Sequence, residues 1–237
     1  MSSHVAEEDP RLKVAEIKYS GETGDVLAHL ARPNGDDTLP GVVVIHENTG
    51  LNSHIKEVAR RVALEGFLTI APDALSPLGG TPDDANEARS LMRELDSEDN
   101  TKNFVAAVKY LKTHPQSTGK VGVTGFCWGG GVTNQVAVKS PDLEVAVPFY
   151  GSQPDSEDVP KIKASLMLHY ASDDERINQG IPGFEQTLKA ADVEYEMYMY
   201  EETRHAFFND TGQRYNEEAA KLAWERTIAF LNEKLKT

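Results

Sequence analysis

Cys127 is the only cysteine in 237 residues, and it stands in Gly125-Phe126-Cys127-Trp128-Gly129-Gly130-Gly131, directly after the run Val121-Gly122-Val123-Thr124. This is a G-x-C-x-G form of the nucleophile elbow, in which small residues two before and two after the nucleophile let a strand and a helix pack closely at a sharp bend. A thiol held there can act as a nucleophile if a base and a residue that orients the base reach it. Three other places carry groups of the required kinds: the acidic pair Asp173-Asp174, His205 in Thr203-Arg204-His205-Ala206-Phe207, and Glu47 in His46-Glu47-Asn48-Thr49-Gly50.

In a parallel sheet, working residues collect at the carboxyl ends of the strands, so the strands must be placed first. Period-two alternation over 14–19 and 26–31, around a Gly-rich turn, predicts an antiparallel hairpin. Residues 42–45, Val-Val-Val-Ile, are apolar at every position and predict a central strand covered on both faces. Glu47 and Asn48 follow it. Helical periodicity covers 53–64, with Ile55, Val58, Ala59, Val62 and Ala63 on one face and Gly66 as the stop. Residues 67–71 predict a further strand, 74–82 a loop near the site mouth, and 83–95 with 101–111 two helices or one broken helix. Beyond the elbow, a helix is expected over 130–138, strands over 144–150, 164–170 and 194–200, and helices over 182–191 and 215–235. The expected class is α/β: a mostly parallel central sheet with an antiparallel N-terminal hairpin and helices on both faces. One domain is expected over 13–237, after a flexible segment 1–12.

Composition narrows the function classes. A net charge of -14 makes nucleic acid and anionic membranes poor partners, because phosphate binding needs concentrated positive charge. No apolar stretch approaches the roughly 18–20 residues that span a bilayer. The N-terminal residues have neither a basic region nor an apolar region of a secretory signal. A lone cysteine forms no internal disulfide and suits a reducing compartment. A cytoplasmic enzyme, monomeric or homodimeric, is the expectation.

With the strand ends placed, the chain order is nucleophile, acid, histidine, the order found in α/β-hydrolases. The sequence resembles the dienelactone hydrolase family of that superfamily. The resemblance rests on His46-Glu47-Asn48-Thr49-Gly50, Gly125-Phe126-Cys127-Trp128-Gly129-Gly130, Ala171-Ser172-Asp173-Asp174 and Arg204-His205-Ala206-Phe207. It implies a Cys127-His205-Asp174 triad, with Asp174 preferred to Asp173 because the family's G-x-x-D spacing maps onto Ala171 to Asp174. Glu47 resembles the family's glutamate that contacts the resting thiol. Backbone N–H groups of Trp128 and Asn48 would form the oxyanion hole. The implied reaction is cleavage of a small activated ester or enol lactone, of the carboxymethylenebutenolidase type, through a thioacyl-enzyme and without a cofactor. A thiolate leaves more readily than an alkoxide, so a cysteine nucleophile favours substrates whose own leaving group is good, such as enol esters, enol lactones and thioesters. A broader carboxylesterase or thioesterase is the alternative enzyme, and a binding or regulatory protein on a hydrolase fold is the alternative outside catalysis.

The chain also departs from the family. The arginine shortly after the catalytic histidine, which holds a substrate carboxylate, is absent: His205 is followed by Ala206-Phe207-Phe208-Asn209-Asp210. Phe207 and Arg204 are the expected pocket residues, and Phe207 with Phe208 could instead form an oligomer contact. His46, His54 and His169 match no H-E-x-x-H spacing and no second cysteine joins them, so no metal site is expected.

Overall fold

The computed structural model describes residues 4–237. Its contacts cluster into two compact units, one up to Val121 and one from Gly122 to Thr237. The first contains β1 (Leu12–Gly21), β2 (Gly24–Pro33), β3 (Leu39–Ile45), α1 (Ser53–Leu64), β4 (Leu68–Pro72), α2 (Ala85–Met92) and α3 (Ser97–Thr113). The strand order here is β1-β2-β4-β3, antiparallel at β1/β2 and β2/β4 and parallel at β3/β4. The hairpin register runs from Leu12 opposite Pro33 to Gly21 opposite Gly24, longer at both ends than the alternation alone predicts.

Helix α1 spans the residues that the sequence period marks. Asn52 caps it by accepting from the N–H of Ile55 at 3.1 Å, and its apolar stripe is buried. Each such buried aliphatic side chain contributes roughly 1.5–3 kcal/mol. Its charged residues are not all solvated, however. Glu57, Arg60 and Arg61 are buried, and Glu57 accepts from Arg61 Nε at 3.0 Å and Nη2 at 2.6 Å.

This buried pair ties down the start of the chain. The Val5 N–H donates to Glu57 Oε1 at 3.1 Å, Arg60 Nε donates to the Val5 carbonyl at 3.0 Å, and the Val5 side chain packs with Leu12, Ala31 and Ala63. Of the segment 1–12 expected to be flexible, residues 1–3 lie outside the described residues, Val5 and Leu12 are buried, and most of the residues between them are exposed. A local reading of composition cannot see a partner 52 residues away.

The chain passes into the second unit within β5 (Ser117–Phe126), and continues through α4 (Trp128–Lys139), β6 (Val145–Phe149), β7 (Ser165–Asp173), α5 (Glu175–Asn178), α6 (Ile181–Ala190), β8 (Tyr195–Arg204) and α7 (Glu217–Leu235). Strands β5, β6, β7 and β8 are neighbours in that order and all parallel. Helix α4 packs on β6, and α7 packs on β6 and β7. Both β7 and β8 run further than expected, because they stay paired past Ala171 and Tyr200 through a register irregularity between Ala171 and Asp173. No helix among the described residues is long and apolar enough to cross a membrane.

Candidate active site

Cys127 sits between the end of β5 and the start of α4 with φ 57° and ψ -116°. An L-residue in this left-handed region is strained by roughly 1–3 kcal/mol, and such strain collects at functional sites. Close packing on both sides holds the bend. A Cβ on Gly125 would lie 2.3 Å from the Gly129 carbonyl oxygen, and one on Gly130 would lie 2.4 Å from the Phe149 oxygen, so neither place admits a side chain. The Cys127 N–H donates to the Phe149 carbonyl at 3.1 Å, and the Cys127 carbonyl accepts from Gly131 at 3.2 Å. The side chain is thereby left half-buried at the amino end of α4, where the helix dipole favours negative charge.

His205 follows β8 and Asp174 follows β7. His205 Nδ1 donates to Asp174 Oδ2 at 2.5 Å, and both side chains are largely removed from water. Asp173, one residue earlier, is 78% exposed and faces Arg204 Nε at 3.6 Å, so of the two adjacent aspartates it is Asp174 that meets the histidine. Burial opposes a charge on His205. Hydrogen bonding and electrostatic attraction to Asp174 and to Cys127 outweigh it and push the imidazole up to about 9. His205 Nε2 is buried with no hydrogen bond of regular geometry.

An aromatic cluster lies beneath these groups. Phe208 stacks on Phe126 with ring centroids 5.0 Å apart, and lies 5.0 Å from Phe149 and 6.2 Å from Trp224. It thus connects the histidine loop to the residue immediately before Cys127. Phe207 packs against Tyr200 at 4.9 Å and Tyr150 at 5.5 Å. Both phenylalanines are fully buried, which corrects their expected places in a substrate pocket or an oligomer contact: the apolar pair after His205 is core. Arg204 is two-thirds exposed with its guanidinium turned toward Asp173. A different arginine reaches the loop, since Arg214 Nη1 donates to the His205 carbonyl at 3.5 Å. Nine residues separate the two, and no sequence spacing marks Arg214.

His169 is a core residue. Its ring nitrogens are hydrogen bonded to the Tyr200 hydroxyl at 2.9 Å and the Thr227 hydroxyl at 3.0 Å, and burial, with the charge of Arg226, pushes it down to about 3. It holds β7, β8 and α7 together as a neutral ring.

In the first unit, Glu47 and Asn48 follow β3, and Glu47 is buried. His46 Nδ1 donates to the Glu47 carbonyl at 2.6 Å, and its Nε2 accepts from the Ala74 N–H at 3.1 Å, which joins this turn to the loop after β4. Asp73 organises that loop by accepting from Leu75 N–H at 2.9 Å, Thr81 N–H at 2.7 Å and Thr81 Oγ1 at 2.7 Å. Thr81 Oγ1 in turn accepts from Leu51 N–H at 2.8 Å. His46 is thus a structural residue, and His54 is buried on α1. Among the described residues, no three of His, Cys, Asp and Glu converge as metal ligands.

Comparison with known proteins places the chain among relatives of similar length and fold. The chain is 32% identical to a protein of Saccharolobus solfataricus named "Putative carboxymethylenebutenolidase", over 91% of this chain and 97% of that one. It is 37% identical to "Protein usf" of Aquifex pyrophilus, over 92% and 98%. A crystal structure titled as a "Putative Dienelactone Hydrolase" from Klebsiella pneumoniae superposes with a TM-score of 0.83 at 30% identity, covering 94% of this chain and 99% of that one. The model of the dienelactone hydrolase family matches residues 26–235, and with that match across nearly the whole fold the chain belongs to the dienelactone hydrolase family, as a hydrolase of the α/β-hydrolase fold.

Proposed function

We propose that this hydrolase cleaves a small activated ester or enol lactone, of the carboxymethylenebutenolidase type, with Cys127 as nucleophile, His205 as general base and acid, and Asp174 as the residue that orients and charges the imidazole. The observation that carries this reading is a strained cysteine at a helix amino end together with a histidine that is anchored to a buried carboxylate and whose imidazole is pushed up by that carboxylate and by Cys127.

In the first half-reaction the Cys127 sulfur attacks the acyl carbon and the proton of the thiol resides on His205 Nε2. The tetrahedral oxyanion accepts hydrogen bonds from backbone N–H groups, for which Trp128 and Asn48 are the candidates on the family resemblance. The intermediate collapses with breakage of the acyl C–O bond. The enolate takes the proton from His205, leaving a Cys127 thioester that, for a lactone, still carries the whole opened molecule. In the second half-reaction His205 removes a proton from water, the hydroxide adds to the thioester, and the C–S bond breaks to restore the thiolate–imidazolium pair. Glu47 is proposed, on the family resemblance alone, as the residue that modulates the thiol.

The test is turnover of enol, aryl and thioesters by the wild type and by Cys127→Ala. Activity abolished in Cys127→Ala, with a thioester trapped by mass spectrometry in the wild type, is expected. Full activity in the alanine variant, or no turnover of any activated acyl compound by the wild type, would overturn the reading.

A further inference from the structure

Tyr150, the first residue after β6, has φ 38°, a left-handed conformation that is exceptional for an aromatic residue. Its surroundings require the sharp turn. The Tyr150 N–H donates to the His169 carbonyl at 2.7 Å, which keeps it in the sheet, while the next residue meets the nucleophile helix. A Cβ on Gly151 would lie 2.2 Å from the Gly130 carbonyl carbon. The backbone therefore turns at Tyr150, and the ring is delivered, fully buried, toward the histidine loop. Its centroid lies 5.0 Å from that of the His205 imidazole at an interplanar angle of 54°, and 5.5 Å from Phe207 at 71°.

We propose that Tyr150 is a positioning residue for His205: its ring holds the imidazole in its pairing with Asp174 and favours the imidazolium that forms when Cys127 gives up its proton. An aromatic ring attracts a cation lying over its face within about 6 Å of its centroid, most strongly where water is excluded, and the 5.0 Å separation lies inside that range. The groups facing His205 are the Asp174 carboxylate at Nδ1, the Cys127 thiol and the Arg214 guanidinium on the backbone carbonyl. Arg204 is turned toward Asp173 instead. The carboxylate and the thiol act on the ring nitrogens, whereas Tyr150 packs against the imidazole ring itself. The inference rests on the triad reading above.

The experiment is an NMR titration of the His205 ring in wild type, Tyr150→Phe and Tyr150→Leu, without substrate. Tyr150→Phe should titrate within about 0.3 pH unit of wild type, and Tyr150→Leu should titrate roughly 0.5–1.5 pH units lower, the range expected for loss of a cation–ring contact. The strained, buried position could prevent Tyr150→Leu from folding. A series of ring-fluorinated phenylalanines at 150 keeps the shape while weakening the ring's attraction for cations, and the midpoint should fall with each added fluorine. A midpoint unchanged through the fluorinated series, or a Tyr150→Phe shift as large as that of Tyr150→Leu, would overturn the proposal. Because the titration is read without turnover, its outcome is separate from that of Cys127→Ala, which tests the nucleophile.

Discussion

Asp174→Asn keeps the size of the side chain and leaves an oxygen to accept from His205 Nδ1, so it removes the charge with little change of shape. His205 is moved from an ordinary 6.5 to about 9 although burial opposes its charge. That displacement corresponds to roughly 3 kcal/mol in favour of the protonated ring. A hydrogen bond to a charged partner contributes roughly 1.5–3 kcal/mol, so losing the carboxylate should lower the His205 midpoint by roughly 1–2 pH units. The sign for stability follows from linkage. A histidine whose folded value is raised stabilises the fold fully below its unfolded value near 6.5, and this contribution is lost as pH rises through about 9. Asp174→Asn should therefore be less stable than wild type in urea at pH 6, with the gap closing by pH 10. The ring midpoint is read directly by NMR titration. Asp173→Asn is the control, since that exposed carboxylate faces Arg204 and should move the midpoint by less than about 0.3 unit. A His205 midpoint still near 9 in Asp174→Asn, with a drop in Asp173→Asn, would refute the assignment and move the acid by one residue.

Phe208→Ala should destabilise by about 3–5 kcal/mol in chemical denaturation, because it leaves a cavity beneath Phe126, Phe149 and Trp224; a loss below 1 kcal/mol would mean that the ring is not core. Burial alone would raise the Glu57 carboxyl, but hydrogen bonds from Arg61 and the Val5 N–H hold it below its ordinary value, so its stabilisation is present above about pH 4.5 and is lost as pH falls through the lowered value. Glu57→Gln should cost about 3–5 kcal/mol near neutral pH by removing the carboxylate from buried Arg61, and should speed hydrogen exchange at Val5; unchanged exchange there would show that the segment is held by other contacts.

The parts of the fold legible in the sequence are those specified by local pattern. Helix α1 is written in its apolar period and its cap, and the strand before Cys127 in a short apolar run bounded by glycines. What escaped depends on contacts distant in sequence or on one-residue differences. Asp173 and Asp174 are chemically alike and adjacent, and the preference for Asp174 comes from the spacing of the family the chain resembles, not from any local pattern of the chain. At the irregular end of the β7/β8 pairing Asp173 is exposed and Asp174 is buried, a difference that no local pattern encodes. Phe207 and Phe208 in a polar loop read as pocket or interface; their burial depends on Phe126 and Tyr200 from two strands, Tyr150 just after a third, and Trp224 from a helix. Asp9 and Arg11 near the chain start are charged enough to look solvated, whereas Val5 is held by residues of α1.

The distribution of backbone strain connects these observations. Among the described residues the non-glycine positions with positive φ are Cys127, Tyr150, Asp192, Glu202 and Ala206, all in the second unit. Three of them are the candidate nucleophile, the ring beside the histidine, and the residue immediately after the histidine. Each follows a strand of the parallel set β5 to β8, where the chain must leave the sheet at a steep angle to bring side chains together. At roughly 1–3 kcal/mol each, these turns persist only if neighbouring packing over-determines them. The residues between and beside them supply that packing: Phe126, Phe149, Phe207 and Phe208 are buried in mutual contact or through Tyr150. The aromatic cluster is therefore part of how the site is held. It offsets the strain of the strand ends and fixes the histidine loop relative to the elbow, so that the His205–Asp174 pair and Cys127 are positioned before any substrate arrives.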